Sequence, residues 1–207
     1  MRVCLFSLPL IFLGLGCRVS YHVGINGYSS TRQILQVPQS ASIYVVTDSN
    51  APNPFLEKEI GMKIQKLLNA KGYNTGTEQT SYYLLFDYGI DSGRTVTDTI
   101  PIYHPSGYYE DPPFFAPGYT TYLPYSEVIY TRWLVLRLVD GRVYRSSQEV
   151  KPLWIGEVTS AGSSSDLRRV VNYMLIAAFE YFGKDTGRQV NEVIMEDDER
   201  VKLLTKR

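Results

Sequence analysis

His22 and His104 are the only histidines in the chain, so they bound the acid–base chemistry it could perform near neutral pH. A hydrolase needs a nucleophile, a base and a group that orients the base. The stretch HPSGY (104–108) sets Ser106 two residues after His104, but no strand–turn–helix elbow of the G-x-S-x-G kind surrounds it. Metal chemistry is no better served. The chain has no histidine pair at helical spacing, no cysteine pair and no calcium-loop register of alternating oxygen ligands. Glu110-Asp111 and the run Glu196, Asp197, Asp198 read as solvated charge. No glycine-rich phosphate loop follows a predicted strand. No catalytic residue and no cofactor is therefore expected; a soluble periplasmic hydrolase using His104 is the alternative.

The other unusual chemistry is aromatic. Tyr103 to Tyr125 holds 6 Tyr, 5 Pro and 2 Phe in 23 residues. So many prolines exclude a helix or a central strand. Tyr103, Tyr108, Tyr109, Phe114, Phe115, Tyr119, Tyr122 and Tyr125 form a candidate binding surface, since tyrosine couples large contact area to few rotors and a polar tip. Stacking on nucleic acid would need a positive groove, yet the formal charges here are Glu110 and Asp111 alone. Nucleic acid is excluded on that ground. Two readings stay open: a lid folded over the exposed sheet face, or a docking surface for an envelope protein or cell-wall glycan. The aromatic content argues against disorder.

At the N-terminus, Arg2 precedes an apolar run from Val3 to Leu15. That run is too short for a membrane span but has the length of a secretory signal, giving a signal segment 1–16 cut before Cys17. The ending LGLGC resembles a bacterial lipoprotein signal, in which the cysteine becomes lipidated. Such signals usually carry Leu three residues before the cysteine; here Gly14 stands there and Leu13 one further back. Cys4 leaves with the signal, so Cys17 is the one thiol of the mature chain and no intramolecular disulfide can form. Attachment to the membrane is expected through a lipid on Cys17. Arg18 follows it where lipoprotein signals that retain a protein at the inner membrane commonly have Asp, which points to the outer membrane, facing the periplasm. Removing Arg2 from 21 basic residues leaves 20 against 21 acidic, a net charge of −1 with no basic face.

Elements that could position these residues follow from periodicity. Residues 17–40 read as a tether that becomes a short strand, and 41–186 as one domain. SIYVVTD (42–48) predicts a strand, being β-branched and aromatic. Asn53 as N-cap and Pro54 at the first helical position open a helix with a stripe of Leu56, Ile60, Ile64, Leu67 and Leu68, stopped by Gly72. Glu57, Lys58, Lys63 and Lys66 take its polar side, with a Glu59–Lys63 pair. SYYLLFDYG (81–89) is a further strand. An insertion loop, 90–126, carries the aromatic segment. A long strand then ends at Asp140-Gly141, a hairpin signal, and returns through PLWIGEV, with Pro152 at an edge or bulge. Trp133 and Trp154 are expected to pack against the helices. The closing helix has Asp166 in its first turn, a buried stripe of Leu167, Val170, Val171, Met174, Leu175, Ala178 and Phe182, and a stop at Gly183. Residues 187–207 read as a charged, solvated tail. The expected class is α+β: a mostly antiparallel sheet with two amphipathic helices on one face, a two-layer sandwich.

These motifs, in this order, resemble the bacterial lipoprotein family catalogued as domain of unknown function four-one-three-six. The residues that carry the likeness are Asn53 and Pro54, then Lys71, Gly72 and Tyr73, then Trp154 and Gly156, over about Tyr21 to Phe182. The resemblance implies an envelope lipoprotein, often with a Tyr-, Pro- and Gly-rich insertion in mid-domain, and supplies no catalytic residues. If Cys17 carries the lipid, Cys17→Ser abolishes labelling by a clickable fatty acid in cells; unchanged labelling refutes it.

Overall fold

A computed structural model describes residues 19–30, 37–38, 41–110 and 113–205, with Tyr109 and Glu110 described in backbone alone. The expected signal segment, Cys17 and Arg18 lie outside the described residues. The elements are β1 (Ser20–Ser29), β2 (Ser42–Val45), α1 (Pro54–Ala70), β3 (Asn74–Thr75), β4 (Tyr82–Ile90), β5 (Arg94–His104), β6 (Gly107–Glu110), β7 (Pro113–Ala116), β8 (Tyr119–Asp140), α2 (Gly141–Ser147), β9 (Pro152–Gly162), α3 (Leu167–Glu180), β10 (Val190–Met195) and α4 (Glu199–Thr205).

The main sheet runs β10-β1-β9-β8-β4-β2-β3. Its pairings are antiparallel except those of β2 with β3 and β4. The parallel pair follows from α1, which carries the chain back to the starting level of β2. Strand side chains alternate between faces, so Val23 and Ile25 of β1, Leu84 and Phe86 of β4, Leu134, Leu136 and Leu138 of β8, and Trp154 and Val158 of β9 share one buried face. α1 and α3 cover it, and the expected α+β two-layer sandwich is the observed architecture. Among the described residues, no helix is long and apolar enough to cross a membrane.

Local chemistry explains the helices. Asn53 caps α1 by accepting from the Leu56 N–H at 3.1 Å, with Pro54 at the first position. Ile60, Ile64, Leu67 and Leu68 of its stripe are buried; Leu56 is partly so. The polar side departs from expectation. Glu57 and Lys63 are buried: Glu57 turns inward to accept from the Asp48 N–H at 2.9 Å, and Lys63 pairs with Glu59 at 2.7 Å. Glu57 also bonds the Tyr88 hydroxyl, whose pKa is pushed up to about 12, first by burial and then by that carboxylate. In α3, Asp166 accepts from the Arg169 N–H at 3.1 Å.

Four further expectations are corrected. Asp140-Gly141 is not a hairpin turn: Asp140 is the N-cap of α2, its Oδ1 accepting from Arg142 N–H at 2.8 Å and Val143 N–H at 3.2 Å. Asp serves both roles, and the side-chain cap prevails here. β1 is a full ten-residue strand inside the sheet, between β10 and β9. The tail contributes β10 and α4, burying Ile194, Val201 and Leu204 beneath its charges. The insertion is no loop: it contains β5, β6, β7 and the first half of β8. Pro152 does sit at an irregularity, where the β8–β9 register shifts between Leu138 and Val139.

Leu136 is wholly buried and Leu123, on the same strand, is 54% exposed. Leu136→Ala is expected to cost about 2–5 kcal/mol in urea unfolding, and Leu123→Ala within about 0.5 kcal/mol of native. Equal costs would contradict this division of β8.

Candidate functional site

β5 pairs antiparallel with the first half of β8, from Arg94↔Ile129 to His104↔Tyr119. Beyond it, β6 and β7 form a second small hairpin, with Tyr108 opposite Phe115 and Tyr109 opposite Phe114. Residues 94–129 thus make a two-stranded arm that continues β4 and β8 past the edge of the core. β5 has 11 residues, so its ribbon is about 37 Å long at about 3.4 Å per residue. All of β5 but His104 is exposed along its length, and β8 is its one substantial packing partner among the described residues. The lid reading is overturned: these aromatics do not fold back over the sheet.

A small hydrogen-bonded knot sets the arm at its base. Ile90 pairs with Arg132 and Arg94 with Ile129, so three residues, Asp91 to Gly93, face two on β8. The Asp91 N–H donates to the Thr131 carbonyl at 3.0 Å, and its Oδ1 accepts from Thr131 N–H at 2.9 Å and Gly93 N–H at 3.0 Å. Gly93 has φ +79°, which a side chain would strain. The Thr131 backbone N–H, above all, holds the Asp91 carboxyl below the usual carboxylate range. On the core side, Arg132 is 1% exposed, and its Nη1 donates to the carbonyls of Tyr130, Gly162 and Ser164. Burial lowers its pKa.

Directly paired residues share a face. One face of the ribbon carries Val96, Asp98, Ile100, Ile102 and His104 with Tyr119, Thr121, Leu123, Tyr125 and Glu127. The other carries threonines with Pro101, Tyr103, Tyr122, Pro124 and Val128. His104 stacks on Tyr119 with ring centroids 4.5 Å apart, and its Nε2 lies 2.9 Å from the Thr121 hydroxyl. Among the described residues, no hydrogen bond joins His104 to Ser106. His22 sits in β1 beside Val193 of β10, remote in the sheet order from His104. Pro101 and Pro124 have no N–H to give the ladder, so each turns its nitrogen outward and interrupts one open edge of the ribbon. Sheet extension along either edge is thereby hindered, and the faces are left for contact.

Tyr103, Tyr108, Phe114, Phe115, Tyr119, Tyr122 and Tyr125 are all brought together on the arm and exposed, Tyr108 by 68% and Phe115 by 64%. They are split between faces rather than gathered on one. Tyr109 shares the β6 strand, and Phe114 opposite it has a partner. Val96, Ile100, Ile102 and Leu123 complete the apolar face and were missed. The signal was the alternation of threonine with apolar residues in RTVTDTIPIY (94–103), masked by Pro101. Trp154 packs in the core as expected, its Nε1 donating to the Lys184 carbonyl at 2.9 Å. Trp133 does not: it lies on the open face of the sheet, 41% exposed, flat against Gly89, where even a Cβ would come within 2.6 Å.

No family model matches the chain, and neither does any curated protein. Among solved structures it is similar to a PDZ domain protein from Parabacteroides distasonis, with TM-score 0.49 and 15% identity over 85% of this chain. The chain spans 39% of that protein. It is also similar to the PelC dodecamer from Paraburkholderia phytofirmans in two crystal forms, one of them a variant. The TM-scores are 0.41 and 0.42 and the identities 12% and 11%, over 75% and 79% of this chain and 93% and 99% of that one. At these values no functional property transfers.

The Asp91 knot gives a pH signature. A carboxylate whose folded pKa is depressed contributes order above its ordinary pKa and loses it as pH falls through the lowered folded value. Amide exchange at Gly93 and Thr131, corrected for intrinsic rates, should quicken on acidification through that range, and at neutral pH in Asp91→Ala. Exchange at Leu136 should stay unchanged. Uniform behaviour at all three would refute an anchoring role for Asp91.

Proposed function

We propose that this chain is an exported, lipid-anchored protein of the cell envelope, a member of the lipoprotein family its motifs resemble, and that it acts by docking a partner rather than by catalysis. Cys17 carries the lipid, the outer membrane is its residence, and the domain faces the periplasm. The partner is an envelope protein or a cell-wall glycan. The observation that carries this reading is the arm: seven large aromatic side chains stand exposed on a ribbon that shields nothing of its own core. Isolated two-stranded hairpins are marginal in water, and contiguous exposed apolar patches on a monomer mark contact sites. Proline spacing also limits the ordering entropy a contact must overcome.

The test is crosslinking in cells from a photoreactive residue at Tyr119, with a matched chain in which residues 105–118 are replaced by Asn-Gly to close the ribbon. Crosslinks to another envelope component, lost in the shortened chain, support the reading. Crosslinks confined to the protein's own sheet refute it.

A further inference from the structure

The start of β1 and the root of the arm lie at one end of the sheet. β9 pairs with β1 on one side and β8 on the other, and its Ser160 faces Val23 and Arg132 respectively. Both pairings are antiparallel, so β1 and β8 run the same way, and three residues earlier on each, Ser20 is level with Ile129. Ile129 pairs with Arg94 at the arm's root. Two strand spacings, about 10 Å, separate β1 from β8. Cys17 stands three residues before Ser20, a reach of at most about 10 Å. A membrane that holds a lipid on Cys17 therefore comes within about 20 Å of the root of a ribbon about 37 Å long.

The ribbon has two unlike faces. On one, Ile100 is paired with Leu123, Ile102 and Tyr125 flank them, and all four are exposed. Polar groups close this patch at both ends. Toward the tip stand the stacked His104 and Tyr119 with the Thr121 hydroxyl; toward the root stand Glu127 and Asp98, whose Oδ1 accepts from the Thr99 N–H at 2.7 Å. The other face carries Thr95, Thr97, Thr99, Thr120 and Ser126, with the Thr97 and Ser126 hydroxyls 3.0 Å apart. Apolar groups on one side and hydroxyls on the other make this the strand counterpart of an amphipathic helix that lies in a membrane interface, a depth tyrosine also favours. Crossing the bilayer fits less well, because the ribbon's outer edges hold unpaired backbone groups that hydrocarbon does not tolerate. Lying flat leaves those edges in water.

We propose that the apolar face of the arm, around Ile100 and Leu123, lies in the interfacial layer of the membrane that holds the Cys17 lipid. The threonine face, with Tyr103 and Tyr122, is then turned to water and to the docking partner. This rests on the lipid anchor and docking role proposed above and divides the arm's faces between membrane and partner. The patch is small, but the anchor keeps it at high local concentration beside the bilayer, so a second attachment needs little affinity of its own. The charged residues on the apolar face, Arg94, Asp98 and Glu127, sum to −1. The contact is therefore apolar and gains nothing from anionic lipid.

Depth-dependent fluorescence quenching tests the contact. The mature lipidated chain is reconstituted in phosphatidylcholine vesicles containing doxyl-labelled lipid. With the Cys17 sulfur acylated, a cysteine introduced elsewhere is the one free thiol and takes an environment-sensitive fluorophore. Label at Ile102→Cys or Leu123→Cys should shift to the blue and be quenched by the doxyl lipid. Label at Thr99→Cys, on the opposite face, or at Tyr28→Cys, toward the other end of β1, should do neither. All four positions are exposed, and unchanged near-UV circular dichroism verifies folding. With the label at Ile102→Cys, adding Ile100→Thr and Leu123→Thr should abolish the quenching while the lipid keeps the chain on the vesicle. Water-like emission at Ile102 and Leu123 overturns the proposal, as does equal quenching on both faces or at Tyr28. If quenching fails while Tyr119 still crosslinks an envelope protein in cells, the membrane contact falls and the docking role stands. Quenching without such crosslinks leaves the membrane contact and removes the partner. A chain that takes no fatty-acid label overturns the anchor and this inference with it.

Discussion

Burial of Leu134, Leu136 and Leu138 beneath α3 fixes the register of β8, and the rest of the structure depends on that register. Side chains alternate along a strand with a period of two, so a slip of one residue would turn all three leucines to solvent. With them held, β8 aligns β4 on one side and β9 on the other. The same strand continues for eleven residues, Tyr119 to Ile129, into the arm, where neither strand face meets a helix. One strand therefore joins an ordinary core to a wholly exposed ribbon, and the transition occurs within two or three residues.

That transition is built from polar groups. Arg132 is the last inward-facing residue of β8 before the arm, and it bonds backbone carbonyls of the β9–α3 connection instead of a carboxylate. A guanidinium bonded in this way through Nη1 ends the core without a second buried charge, although its buried Nε has no hydrogen-bond partner among the described residues. On the other strand, Asp91 and Gly93 absorb the extra residue. The arm is thus oriented by specific hydrogen bonds at its root, although it has no packing along its length. Trp133 and Gly89 lie just inside the same boundary, on the uncovered face, where a missing side chain on β4 makes room for the indole.

Much of the core was legible from side-chain periodicity. The α1 and α3 stripes, Asn53 as a cap, β4 as a strand and the edge or bulge at Pro152 follow from local rules, because each concerns residues close in the chain. The exclusion of helix and central strand from 103–125 was sound as well: the prolines sit in a ribbon whose outer edges are free to accommodate them. What those rules missed was the strand pairing of 94–104 with 119–129. Pro101 and Pro124 mask it locally, and they are tolerated only because both nitrogens face outward. Asp140-Gly141 failed for a related reason, since a hairpin and a side-chain cap use the same dipeptide.

Taken by itself, the amino-acid sequence determined most of the apolar stripes of α1 and α3, the class of fold, and the presence of an aromatic, proline-spaced, acidic segment. The tertiary structure decided where that segment went. Whether an aromatic stretch becomes a lid or an arm depends on pairings between residues tens of positions apart, and on a three-residue bulge whose direction no local preference encodes. It also decided that Glu57 and Lys63 are buried, that Trp133 stays outside, and that a groove forms between α1 and α3, helices far apart in the chain. Such features arise from the assembly of faces, and a face exists only once the strands and helices have met.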